Sequence, residues 1–94
     1  MITYQIKTYP ESVRFETRVY LGDNEFILFF DWNETVSAWY LSISDTDGNP
    51  VIGGQSIKII TNYPLNRKIS KSLIPGWLLA LDATETTLRV FYNV

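Results

Sequence analysis

Apolar and polar residues alternate one by one along most of the chain. Ile2, Tyr4 and Ile6 are separated by Thr3, Gln5 and Lys7, and a period of two is that of a strand with one face buried. Pro10 ends the run. Val13, Phe15, Thr17, Val19 and Leu21 then alternate with Arg14, Glu16, Arg18 and Tyr20, so the charged side of this strand is expected to face water or a partner. Gly22-Asp23-Asn24 tolerates positive φ and predicts a tight hairpin. The returning strand, Glu25 to Trp32, places Phe26, Leu28, Phe30 and Trp32 on one face but also carries Ile27 and Phe29 on the other. Apolar residues on both faces predict burial on both sides, by a second layer of the domain or by a neighbouring chain.

After the polar connection Asn33 to Ser37, Ala38 to Asp45 resumes the alternation with Trp39, Leu41 and Ile43 inward and Tyr40, Ser42 and Ser44 outward. Asp45-Thr46-Asp47-Gly48-Asn49-Pro50 is dense in turn formers: Asp and Asn cap, Gly supplies positive φ, Pro fixes φ. A second hairpin follows, its returning arm drawn from Val51-Ile52 and Ser56 to Thr61, with Gly53-Gly54 read as a bulge or bend. Asn62 to Gly76 lacks a clean period and reads as an irregular loop with one helical turn between Leu65 and Ser72. Trp77 to Leu81 is a short apolar run, Asp82 to Thr86 a turn, and Thr87 to Tyr92 a closing strand. Six or seven short strands with frequent turns describe an all-β fold, a small antiparallel sandwich or partly open barrel.

Length bounds this to one domain, 1–94, with a modest core. Cysteine is absent, so neither a disulfide nor a thiolate site contributes. The start MITYQIKTYPE lacks the basic and apolar segments of a signal peptide, and no stretch approaches the ~18–20 apolar residues of a membrane span. The expectation is a protein that stays in the cytoplasm where it is made until something assembles it. Eight basic against ten acidic residues give a formal charge of -2, which argues against a duplex-binding surface. The one local excess is Arg67, Lys68 and Lys71.

Candidate chemistry is sparse. Without histidine the commonest general base and metal ligand is missing, and with cysteine also absent so are most nucleophile–base pairs. Asp31 and Asp45 could be imagined as a glycosidase-like pair, but a domain this small has little room for the cleft such a pair needs. The chain therefore reads as a non-enzyme with no cofactor and no catalytic or metal site. Asp45, Asp47 and Asn49 open like a calcium loop, but Pro50 stands where that loop needs glycine and Ser56 where it needs a bidentate Glu, so a plain turn is expected. Three Trp and six Tyr invite a stacking platform for sugars or single-stranded nucleic acid, the latter weakened by the acidic charge; most, including Trp32, Trp39 and Tyr92, occupy strand positions where core packing is the ordinary explanation. Arg67, Lys68 and Lys71 are either a solvated surface or a mobile arm that docks on an acidic neighbour.

Four segments in order carry a resemblance: Tyr20-Leu21-Gly22-Asp23-Asn24-Glu25-Phe26, Trp39-Tyr40-Leu41-Ser42-Ile43, Asp45-Thr46-Asp47-Gly48-Asn49-Pro50-Val51-Ile52, and Leu88-Arg89-Val90-Phe91-Tyr92. The arrangement resembles the small baseplate plug proteins of contractile-tailed phages and covers most of the chain. It departs from the family pattern at Tyr63-Pro64-Leu65, where a Gly-Leu segment is usual. The resemblance implies a structural, non-enzymatic part of the virion tail baseplate near the hub and spike. It also implies several copies around the tail axis, with other baseplate, hub or spike proteins and copies of itself as partners; charge and hydropathy add the expectation of neither nucleic acid nor membrane. Candidate contact residues are Arg67, Lys68 and Lys71 on the loop, Ile27 and Phe29 on the two-sided strand, and Asp45 and Asp47 in the turn, the loop of one copy meeting the turn of the next. The other reading is a β-sandwich recognition module for carbohydrate or protein.

Overall fold

A computed structural model describes residues 3–51 and 56–94. Seven strands form two antiparallel sheets: β1 (Thr3–Ile6), β2 (Arg14–Leu21), β3 (Asn24–Asn33), β4 (Ala38–Asp45), β5 (Ile57–Lys58), β6 (Trp77–Ala83) and β7 (Leu88–Asn93). One sheet has the order β1-β7-β6 and the other β2-β3-β4-β5. The expected all-β sandwich is formed.

Period-two patterning places the core as anticipated. Leu21, Phe26, Leu28, Phe30, Trp39, Leu41 and Ile43 from the larger sheet face Ile6, Leu78, Ala80, Leu88, Val90 and Tyr92 from the smaller, and burial of these side chains is the main term holding the layers together. Aromatic pairs reinforce it: Phe15 stacks on Phe30 with centroids 4.9 Å apart, and Trp32 meets Trp39, its partner in register, edge-on at 5.5 Å. The Trp39 indole donates to the Thr84 carbonyl (2.7 Å), tying the larger sheet to the β6–β7 turn. Trp39 and Tyr92 are core residues, as predicted, whereas Trp32 is only half-buried.

The first hairpin turns on Gly22 and Asp23, with Leu21 opposite Asn24. Gly22 has φ +75° and Asp23 a negative φ, the sign pattern of a II′ turn, which matches the twist of the flanking strands. The second hairpin is also present: Pro50 bridges Ser44, Val51 N–H donates to the Ile43 carbonyl, and β5 pairs with Tyr40 and Leu41 further along the same edge of β4. The expected bend at Gly53-Gly54, with Ile52, lies outside the described residues, as does Ile2.

Three expectations are corrected. Val13 is not on the buried face; it precedes β2 and is exposed. The last turn begins later than Asp82, because β6 continues to Ala83 through a bulge between Ala80 and Asp82; the extra residue, Leu81, is pushed outward, which erased the period. No helical turn is assigned between Leu65 and Ser72 among the described residues; successive tight turns take its place, with Ile69 N–H donating to the Asn66 carbonyl and Leu73 and Ile74 N–H to the Ser70 carbonyl. The 62–76 segment is irregular, as expected, yet it is anchored: Leu65, Ile69 and Ile74 are all part of the core.

Asn66 explains how an aperiodic segment can be held so firmly. Its side chain is completely buried, donating through Nδ2 to the Gly76 carbonyl (2.9 Å) and accepting through Oδ1 from Leu78 N–H (2.8 Å). Asn62 and Leu65 N–H donate to the Ala80 and Leu78 carbonyls. The segment thus hydrogen-bonds along the free edge of β6, the amide of Asn66 standing in for a strand's backbone. Gly76 lies at the centre of this arrangement: its N–H donates to the Tyr92 hydroxyl (3.0 Å), and a Cβ there would run into the Asn93 carbonyl and the Tyr92 ring.

Candidate assembly interface

Ile27 and Phe29 project from the outer face of the larger sheet, where the register sets Ile27 between Arg18 and Ser44 and Phe29 between Glu16 and Ser42. Burial on both faces of β3 therefore holds only in part. Ile27 is 7% exposed within the single chain, while Phe29 remains 41% exposed. Both line a concavity of about 470 Å³ with Ser42, Ser44, Asp47 and Pro50, so the second hairpin's turn forms one wall of it.

That turn is rigid for a local reason. The Asp45 carboxylate accepts from the Asp47 and Asn49 N–H groups, both at 2.9 Å, and its carbonyl from Gly48 N–H (3.1 Å), with Gly48 at φ +87°. These bonds, that from Asn49 N–H foremost, hold the Asp45 carboxyl below its ordinary pKa. Asp45 is thus spent on ordering the turn, and Asp47 is the carboxylate left at the wall.

The three basic residues do not act as a unit. Lys71 is drawn onto its own chain: its ammonium lies 3.0 Å from the Trp77 ring centroid and donates to the Gly76 carbonyl (2.7 Å), and desolvation there lowers its pKa. Arg67 lies over the Tyr63 ring at 5.1 Å, while Lys68 is exposed. Both line a second concavity of about 190 Å³ with Lys58, Ile60, Tyr63 and Pro64. Three of these lining residues, Lys58, Ile60 and Tyr63, escaped sequence reasoning. The whole lining comes from one stretch of chain, Ile57 to Ile69, which the pattern divides between a returning strand arm and an irregular loop; the one signal was the run Ile57-Lys58-Ile59-Ile60, which carries more isoleucine than a single buried face needs.

Two of the concavities among the described residues thus have apolar floors and opposite charge at the rim. The candidate contact residues sort into Ile27, Phe29, Asp45 and Asp47 around one, Arg67 and Lys68 at the other, and Lys71 apart from both. The family model described as "Cyanophage baseplate Pam3 plug gp18" matches residues 1–93. No curated protein and no solved structure matches the chain.

Proposed function

The chain belongs to the cyanophage baseplate plug family, and from that premise we propose that it is a non-catalytic packing piece. It is made in the host cytoplasm and seated near the hub and spike at the end of the tail tube, in several copies that touch one another and the surrounding baseplate, hub or spike proteins. The observation that carries the reading is the pair of concavities. The Lys58–Arg67–Lys68 rim of one copy is complementary to the Asp47 wall of the next, and Ile60 and Tyr63 offer apolar surface to Ile27 and Phe29. Contact between unlike surfaces repeats around an axis and closes a ring, and opposite charge fixes its register.

The Arg67→Glu, Lys68→Glu double variant tests this in a phage complementation assay. Both side chains are exposed, so thermal stability of the isolated chain is expected to stay within about 0.5 kcal/mol of the parent, while baseplates assemble without the protein. Normal incorporation of the double variant into tails would remove the interface.

A further inference from the structure

Trp32 N–H donates to the Val13 carbonyl (2.8 Å) ahead of β2. Along an antiparallel strand the direction of the backbone groups alternates, so odd-numbered residues of β2 bond to β3, and the N–H and C=O of Arg14, Glu16, Arg18 and Tyr20 point away from the sheet. β2 is the terminal strand of its sheet, and no backbone partner meets these four among the described residues. Their side chains are exposed as well. An eight-residue open edge is a template for another strand, in contrast to β6, whose free edge the chain covers itself.

We propose that this edge pairs with the same edge of a second copy of the chain, antiparallel about a two-fold axis at Thr17. In this register Glu16 faces Arg18 of the partner subunit and Arg18 faces Glu16 of the partner subunit, while Arg14 faces Tyr20 of the partner subunit, a cation over an aromatic ring. Each of these pairs joins residues whose backbone groups point at one another, so all four open positions on both copies are satisfied. The neighbouring registers fail. A slip of two residues one way sets Glu16 on Glu16 of the partner subunit and Arg14 on Arg18 of the partner subunit; the other way sets Arg18 on Arg18 of the partner subunit. Scattered charges ordinarily blunt a sheet edge, but the alternation here is self-complementary under a two-fold rotation. The inner face agrees: Phe15 and Val19 point at the core yet are only half-buried, and the same pairing covers each with the other across the axis. Glu16 and Arg18 adjoin Phe29 and Ile27 of the first concavity in register, but the contact proposed here is backbone pairing along β2 and uses none of the residues that line either concavity.

The experiment is sedimentation velocity on the full chain over a concentration series, with Glu16→Arg, Arg18→Glu and the combined swap. By symmetry each single reversal turns two attractive pairs into repulsive ones, and each is expected to weaken the dimer about tenfold; the swap restores opposite charges and returns the parent affinity. The parent contains no cysteine, so Thr17→Cys supplies a unique probe. Residues facing each other on the axis in a non-hydrogen-bonded pair lie about 4.5 Å apart at Cα, within disulfide reach, and oxidation is expected to link the subunits, whereas Thr35→Cys in the β3–β4 turn is expected not to. A parent that stays monomeric, a dimer indifferent to both single reversals, or a swap that fails to restore association would overturn the proposal.

Discussion

The β2–β3 hairpin and the segment from Asn62 to Gly76 are opposites in sequence and in structure. The hairpin has the cleaner period and the plainer turn, yet its first strand leaves an edge open and its outer face leaves Phe29 uncovered. The aperiodic segment supplies Leu65, Ile69 and Ile74 to the core and closes the edge of β6 with a buried amide. Regular patterning therefore marks where a strand forms, and says little about where the chain is sealed. Sealing here depends on single polar groups at particular places, and open surface is what a part of an assembly has to offer.

Two asparagines make that contrast measurable. Asn66 and Asn33 each satisfy two groups through the side chain, but Asn66 is fully buried, whereas Asn33 lies exposed at the end of β3, accepting from Thr35 N–H (3.0 Å) and Val36 N–H (3.3 Å) of the turn that follows. Asn66→Ala strands the Leu78 N–H away from water and is expected to cost about 2–3 kcal/mol. Asn33→Ala leaves groups that water can reach and is expected to cost under about 1 kcal/mol. Chemical denaturation of the two variants reads the difference directly; equal losses would mean that the 62–76 segment is no more sealed than an ordinary turn.

The same contrast explains what was legible. Strands β2, β3, β4 and β7 and both hairpins were read from alternation and from Gly22, Gly48 and Pro50, because these are local signals. β6 was blurred by one bulged residue, Leu81, which shifts every later side chain to the other face. Asn66 was invisible, since an Asn in a polar stretch reads as a turn former and only the tertiary fold brings it against Gly76 and Leu78. Grouping Arg67, Lys68 and Lys71 by adjacency failed for a related reason: Trp77, which captures Lys71, comes from a different element. Lys58 joins the basic rim from β5, where it stands between isoleucines and reads as one polar position of a strand, not as part of a charge cluster.

Glycine sharpens the comparison at the point where the two regions touch. Gly22 and Gly48 both have positive φ, but a Cβ at Gly22 would come within 2.7 Å of Pro75 Cδ, whereas at Gly48 it would meet nothing. Backbone strain alone is worth about 1 kcal/mol, so Gly48→Ala is expected to lose about that much and Gly22→Ala about 2 kcal/mol or more as the hairpin is pushed off the 62–76 segment. Similar Tm losses would show that the two regions are not in firm contact. A smaller effect separates the lysines. Lys71→Ala removes a cation from the Trp77 ring and a donor from Gly76 and is expected to cost about 0.5–1 kcal/mol, with Lys68→Ala close to neutral.

The smallest effect belongs to the second hairpin, where the turn is rigid without being buried. Backbone N–H groups from Asn49 and Asp47 and the Asn49 amide favour the ionised Asp45 carboxyl, so its folded pKa lies below the unfolded value of about 3.9. A depressed carboxyl pKa contributes stability that is fully present above the unfolded pKa and is lost as pH falls through the folded one. Asn at this position keeps an oxygen for the two backbone donors but gives up the charge. The parent is therefore expected to be slightly more stable than Asp45→Asn at neutral pH, and the gap to close as pH drops below about 3.9. Thermal melts of the two proteins between neutral pH and strong acid measure the gap. A gap that holds constant into acid would mean that the lost stability came from altered turn geometry, and that the Asp45 charge has no part in making this wall of the concavity rigid.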